Sequence, residues 1–74
     1  MEKEIDDIAN ELRELELDSG IRIIDESNKL VFITKSADEF TIRIDDKWFY
    51  TKDIDEVLNI VKKHTKGKIK AWLY

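Results

Sequence analysis

With 74 residues, 13 lysines and arginines against 17 aspartates and glutamates, a net charge of −4 and no cysteine, the chain has length for one domain only. The composition excludes a disulfide framework, a thiol nucleophile and a thiolate metal site, and folding at this size buries only about 60% of the surface the unfolded chain exposes. The start Met1-Glu2-Lys3-Glu4 is acidic and no apolar run reaches membrane-spanning length, so the expectation is a soluble, cytoplasmic protein without a membrane segment.

The first predicted element is a helix over residues 2–18. Ile5, Ile8, Leu12 and Leu15 recur at helical spacing as its core stripe, and Ser19-Gly20 supplies a stop. Beside that stripe runs an acidic ridge, Glu4, Asp7, Glu11, Glu14 and Asp18, at the same spacing. Like charges three or four apart cost roughly 0.2–0.5 kcal/mol per pair, and the acids at Glu14, Glu16 and Asp18 oppose the helix dipole. Local stability therefore does not account for them. Ile21-Arg22-Ile23-Ile24 follows as a strand, and the polar break Asp25 to Lys29 makes a hairpin with Leu30-Val31-Phe32-Ile33, whose continuous apolar run predicts an inner strand covered on both faces. After the turn Lys35 to Glu39, residues 40–44 alternate strictly, with Phe40, Ile42 and Ile44 on one face and the other face wet. Asp45-Asp46 turns the chain into a fourth strand, residues 47–51, which completes a meander.

Asp53 and Glu56 form a capping-box pattern that starts a second helix. Ile54, Val57, Leu58 and Val61 face its core side, Ile60 widens the stripe, and Lys62, Lys63 and Lys66 suit its C-terminal end before Gly67. Residues 68–74 alternate again as a last strand at a sheet edge, with Ile69, Ala71 and Leu73 inward and Trp72 and Tyr74 outward. The order predicts a single two-layer α+β domain over residues 1–74: N-terminal helix, four-stranded antiparallel meander, second helix and C-terminal edge strand. Which edge of the meander the last strand joins is open.

Catalytic signals are absent. The one histidine, His64, stands among lysines at a helix end and reads as a surface or dipole-complementing residue; Ser19, Ser27 and Ser36 fall in turns; Asp45, Asp46, Asp53 and Asp55 lack calcium-loop spacing. No cofactor, metal or catalytic residue is expected. Binding surfaces are better represented. Charge is polarised along the chain: residues 1–26 hold ten acids and three bases, residues 27–51 four of each, and residues 52–74 three acids and six bases.

Three surfaces follow from this pattern. The ridge Glu4, Asp7, Glu11, Glu14 and Asp18, about 21 Å long on a helix, can imitate a row of phosphates and dock on a larger protein with a basic surface, unless lysines of the second helix neutralise it. Lys62, Lys63, Lys66, Lys68 and Lys70, with Trp72 and Tyr74 as stacking faces, form an alternative nucleic-acid surface. Trp72 and Tyr74, together with Ile24 and one apolar pair from residues 30–33, form a patch suited to a partner or a homodimer. The helix–strands–helix outline resembles double-stranded-RNA-binding domains, but those place a basic cluster at the start of the second helix, where this chain has Asp53, Asp55 and Glu56. In size and charge pattern the whole chain resembles phage-encoded inhibitors of host nucleases, including anti-CRISPR and anti-restriction proteins. That resemblance implies a viral, non-catalytic inhibitor that occludes a nucleic-acid-binding groove.

Overall fold

The computed structural model describes the backbone of residues 2–3 and 5–73, with side chains for residues 7–73. The elements are β1 (Glu2–Lys3), α1 (Ile5–Glu14), β2 (Gly20–Ile24), β3 (Leu30–Lys35), β4 (Phe40–Ile44), β5 (Lys47–Thr51), α2 (Ile54–His64) and β6 (Ile69–Leu73). The strands form one antiparallel sheet in the order β1-β6-β2-β3-β4-β5. The α+β reading, with its meander, its two helices and the final strand in the same sheet, is what the chain adopts. The open question of the last strand is resolved on the β2 side, where Ile21, Ile23 and Ile24 pair with Leu73, Ala71 and Lys70. In this register Ala71 stands opposite Ile23 and Leu73 opposite Ile21, and Ile69 and Ala71 join Ile21 and Ile23 in the buried set.

Alternation decides which face is covered. Ile21, Ile23, Val31, Ile33, Phe40, Ile42, Ile44, Ile69 and Ala71 are buried on one face, where Ile8 and Leu12 of α1, Leu15 just past its end, and Val57, Leu58 and Val61 of α2 cover them. The two helices also pack on each other. β3 is inner in strand order but not covered on both faces: Val31 and Ile33 are fully buried, whereas Leu30 is exposed and Phe32 half-buried on the open side. Leu73, expected inward, is 64% exposed, because it lines an open hollow below Glu11, Glu14 and Leu15 in place of a filled core position.

That helix is the main departure from the expected outline. Residues 2–3 are a short strand beside β6, and α1 ends at Glu14 rather than residue 18. Four further residues of helix would carry two more acids against the dipole and leave no chain to cross from the helix layer to β2. The chain instead turns through Asp18 at φ 65, whose amide donates to the Lys35 carbonyl at 2.9 Å, while the Lys35 amide donates to the Ser19 carbonyl at 3.0 Å. Asp18, not Gly20, thus takes the left-handed position. At α2 the Asp53 carboxylate accepts from the Asp55 amide at 3.0 Å, as a cap should. The reach-back expected of Glu56 is replaced: the Asp53 amide donates to the Thr51 hydroxyl at 3.1 Å.

Candidate functional site: the open face of the sheet

Both helices lie on one side, so the outward positions of five strands form an uncovered face. Residues opposite each other in register share that face, and one row can be read straight across it: Trp72 pairs with Arg22, Arg22 with Phe32, Phe32 with Arg43, and Arg43 with Trp48. Aromatic and guanidinium groups therefore alternate over five strands, about 19 Å at the usual strand spacing. The alternation is physically coupled. The Arg22 Cζ stands 5.0 Å from the Trp72 ring centroid and the Arg43 Cζ 5.5 Å from that of Trp48, both within cation–π range. The Arg43 Nε also donates weakly to the Asp45 carbonyl at 3.4 Å.

On either side of this row the face continues with Lys70, Ile24 and Leu30, and with Thr34, Thr41 and Tyr50. Trp48 and Tyr50 are 55% and 60% exposed and Trp72 is 40% exposed. Among the positions whose side chains are described, the outward sites of β2 to β6 carry three cations and no carboxylate, in a chain with 17 acids. Glu2, opposite Lys70, lies outside those positions. Neither guanidinium is ion-paired among the described residues, so their outer N–H groups face solvent with charge to spare.

The sequence-predicted residues are redistributed by this geometry. Trp72 and Lys70 lie on the open face, Lys62 and Lys63 on α2 in the opposite layer, and Lys66 and Lys68 in and beside the loop that joins α2 to β6, so the lysine cluster does not form one surface. Tyr74 and Glu4 fall outside the described residues. Of the acidic ridge, Asp7, Glu11 and Glu14 remain on α1, Glu11 half-buried and the other two exposed, while Asp18 is beyond the helix. The described ridge is then about 10 Å long rather than about 21 Å. Glu11 and Glu14 join Glu16 around a hollow of about 460 Å³ floored by Leu15 and Leu73. Sequence reasoning missed Arg22, Phe32, Arg43, Trp48 and Tyr50 as a set. Period-two alternation marks each as outward, but only register aligns them.

His64 has its ring centroid 5.4 Å from that of Phe49 and its Nδ1 2.8 Å from the Ile60 carbonyl, which fits a structural role at the helix end. Asp25 is the one buried carboxylate among the described residues. Its Oδ1 accepts from the Ser27 amide and hydroxyl and the Lys29 amide, and its Oδ2 from the Lys66 amide, all at 2.8–2.9 Å. Burial alone pushes this carboxyl up, and the amides of Lys29 and Lys66 together with Ser27 outweigh that and hold it below its ordinary value. Glu26 extends the clamp by accepting from the Lys68 amide at 3.0 Å. Asp25 and Glu26 tie the β2–β3 turn to the chain entering β6, and thereby fix Trp72 opposite Arg22. Among the described residues no three histidines, aspartates or glutamates converge to hold a metal ion, and no helix is long and apolar enough to cross a membrane.

Compared with known proteins, the chain matches no family model, no curated protein and no solved structure.

Proposed function

We propose that this protein is a non-catalytic binding module that holds single-stranded nucleic acid on the open face of its sheet. The observation that carries the reading is the row Trp72-Arg22-Phe32-Arg43-Trp48 on a face without a described carboxylate. Aromatic faces stack on any base, worth about 1–3 kcal/mol each, and the arginines between them meet the phosphates of the connecting backbone. Three platforms on alternate strands stand about 10 Å apart, each pair separated by a guanidinium. A duplex hides its base faces and a broad sheet does not enter its grooves, so the geometry favours unpaired strands. The net charge of −4 does not oppose this, because the acids of α1 lie in the other layer and turn the basic face toward a polyanion.

Fluorescence anisotropy of a labelled oligothymidine, with an oligouridine beside it, tests the reading. Binding is expected at about 50 mM salt with a log–log salt slope near −2, since Arg22, Arg43 and Lys70 neutralise phosphates at about 0.7 each. Trp72→Ala should weaken it roughly 5- to 100-fold. No rise in anisotropy at low salt, or a Trp72→Ala variant that binds as wild type does, refutes it.

A second reading, occlusion of a basic protein surface, is favoured by the hollow where Glu11, Glu14 and Glu16 surround Leu15 and Leu73. An arginine or lysine of a partner would lay its aliphatic stem on the leucines and its charge among the carboxylates.

A further inference from the structure

We infer that a second copy of this chain pairs antiparallel with β5, joining two six-stranded sheets edge to edge into one continuous sheet. β5 is the last strand in the sheet order, so among the described residues no strand pairs with its outer side. It is built from strong strand formers, Trp48, Phe49 and Tyr50, and within Lys47–Thr51 only Lys47 is charged. Proline and a bulge, two of the usual protections of an open edge, are missing from it, and its one charge on the inner-face side, Lys47, stands at the turn end opposite Ile44 and leaves Trp48 to Thr51 unprotected.

The turn fixes which backbone groups are on offer. Asp45-Asp46 is a two-residue loop closed by Ile44 opposite Lys47, and in such hairpins the closing pair exchanges both hydrogen bonds. Alternation then makes Ile42–Phe49 a bonded pair as well, and leaves the N–H and C=O of Trp48 and Tyr50 directed away from β4. A twofold axis through Phe49 sets Trp48 opposite Tyr50 of the second copy, and Tyr50 opposite its Trp48. Each of these pairs is bonded, giving about four hydrogen bonds across the junction.

Charge supports the same register. One step beyond the strand, Lys52 comes opposite Asp46 of the second copy, and symmetry repeats the pair at the other end. Lys52 is available for this, because its present contact, Asp38 at 3.4 Å, is exposed on both sides and holds it weakly. The cross-strand neighbours Trp48 and Tyr50, both more than half exposed, would cover each other on the open face. The two aromatic–arginine rows would then lie on one continuous surface. The dimer stands on edge geometry alone and does not depend on the ligand proposed above.

Sedimentation velocity of the full chain without nucleic acid, from about 10 to about 500 μM, tests it. The mass should rise from 8.8 kDa toward twice that value. Tyr50→Pro removes an outward N–H without touching the β4 ladder and should remain monomeric throughout. Lys52→Asp sets like charges across both ends and should raise the dissociation constant at least about 10-fold, and Asp46→Lys with Lys52→Asp should restore it to within about threefold. Circular dichroism checks that each variant folds; if Tyr50→Pro does not, the charge swap at two exposed positions carries the test. A monomer at every concentration overturns the proposal. So does a dimer that Tyr50→Pro leaves intact, or a charge-swapped pair no tighter than Lys52→Asp alone.

Discussion

Replacing Asp25 with alanine removes one side chain that accepts four hydrogen bonds, three from backbone amides and one from a hydroxyl. Hydrogen bonds to a charged acceptor are worth about 1.5–3 kcal/mol each, but Ser27 is exposed and its two donors can return to water. Counting the Lys29 and Lys66 amides, whose bonds close the turn and join it to the chain entering β6, at roughly 1.5 kcal/mol apiece gives a net loss of about 3 kcal/mol. A chain this short has a total stability of about 4–11 kcal/mol, so the substitution removes a large share of it. In urea, with a slope near 1 kcal/mol/M, the unfolding midpoint followed by tryptophan fluorescence should fall by about 3 M. Asp25→Asn keeps one acceptor oxygen, and its midpoint should fall between those of the wild type and the alanine variant. The pH dependence carries the same argument. The folded carboxyl titrates below the unfolded one, so its stabilisation is complete above the ordinary aspartate range and is lost as pH falls through the folded value. Asp25→Ala should flatten that acid limb. A midpoint shift under about 1 M, or an acid limb unchanged by the substitution, would mean that the clamp is not what joins the β2–β3 turn to β6.

Three further outcomes can be checked. Gly67 has φ +69, and an added Cβ there meets the Glu26 carboxylate; Gly67→Ala must displace Glu26 from the Lys68 amide and should cost about 1–3 kcal/mol in urea unfolding. Leu12 is fully buried between the helices and the sheet while Leu17 is 58% exposed, so Leu12→Ala should cost about 3–5 kcal/mol and Leu17→Ala under about 0.5 kcal/mol in the same assay. Reversing Glu11 and Glu14 to lysine should leave oligonucleotide binding intact or slightly tighter and abolish any complex with a basic protein, whereas Arg22→Ala with Arg43→Ala should cut the salt slope by about 1.4; anisotropy and co-sedimentation separate the two surfaces.

Much of the fold was legible because its signals are local. Ile8, Leu12 and Leu15 share a helical stripe, Phe40, Ile42 and Ile44 alternate, Asp45-Asp46 turns a hairpin and Asp53 caps a helix, and each of these depends on neighbours within a few residues. The end of α1 was less legible. Its apolar stripe reaches Leu15 and its acids continue to Asp18, but the crossing to β2 is held by the hydrogen bond from Asp18 to Lys35, which no local pattern announces. The same holds for Asp25, whose position in a polar break signals a turn and whose bond to Lys66 spans 41 residues.

By itself, then, the sequence determined the two helices, the five longer strands, the inward side chains of the strictly alternating strand β4 and the uneven distribution of charge, since these follow from side-chain period and turn chemistry; the strand at residues 2–3, the single covered face of β3 and the exposure of Leu73 were not in it. Strand order and register were decided only in three dimensions. Alternation says that Arg22, Phe32, Arg43, Trp48 and Trp72 point outward, but not that they stand in one line, because a slip of two residues on any strand preserves every inward side chain and breaks the row. What pins the line is the length of each turn and the Asp25–Glu26 clamp on the segment entering β6. The candidate site is therefore a product of tertiary pairing, written in residues that are ordinary one by one.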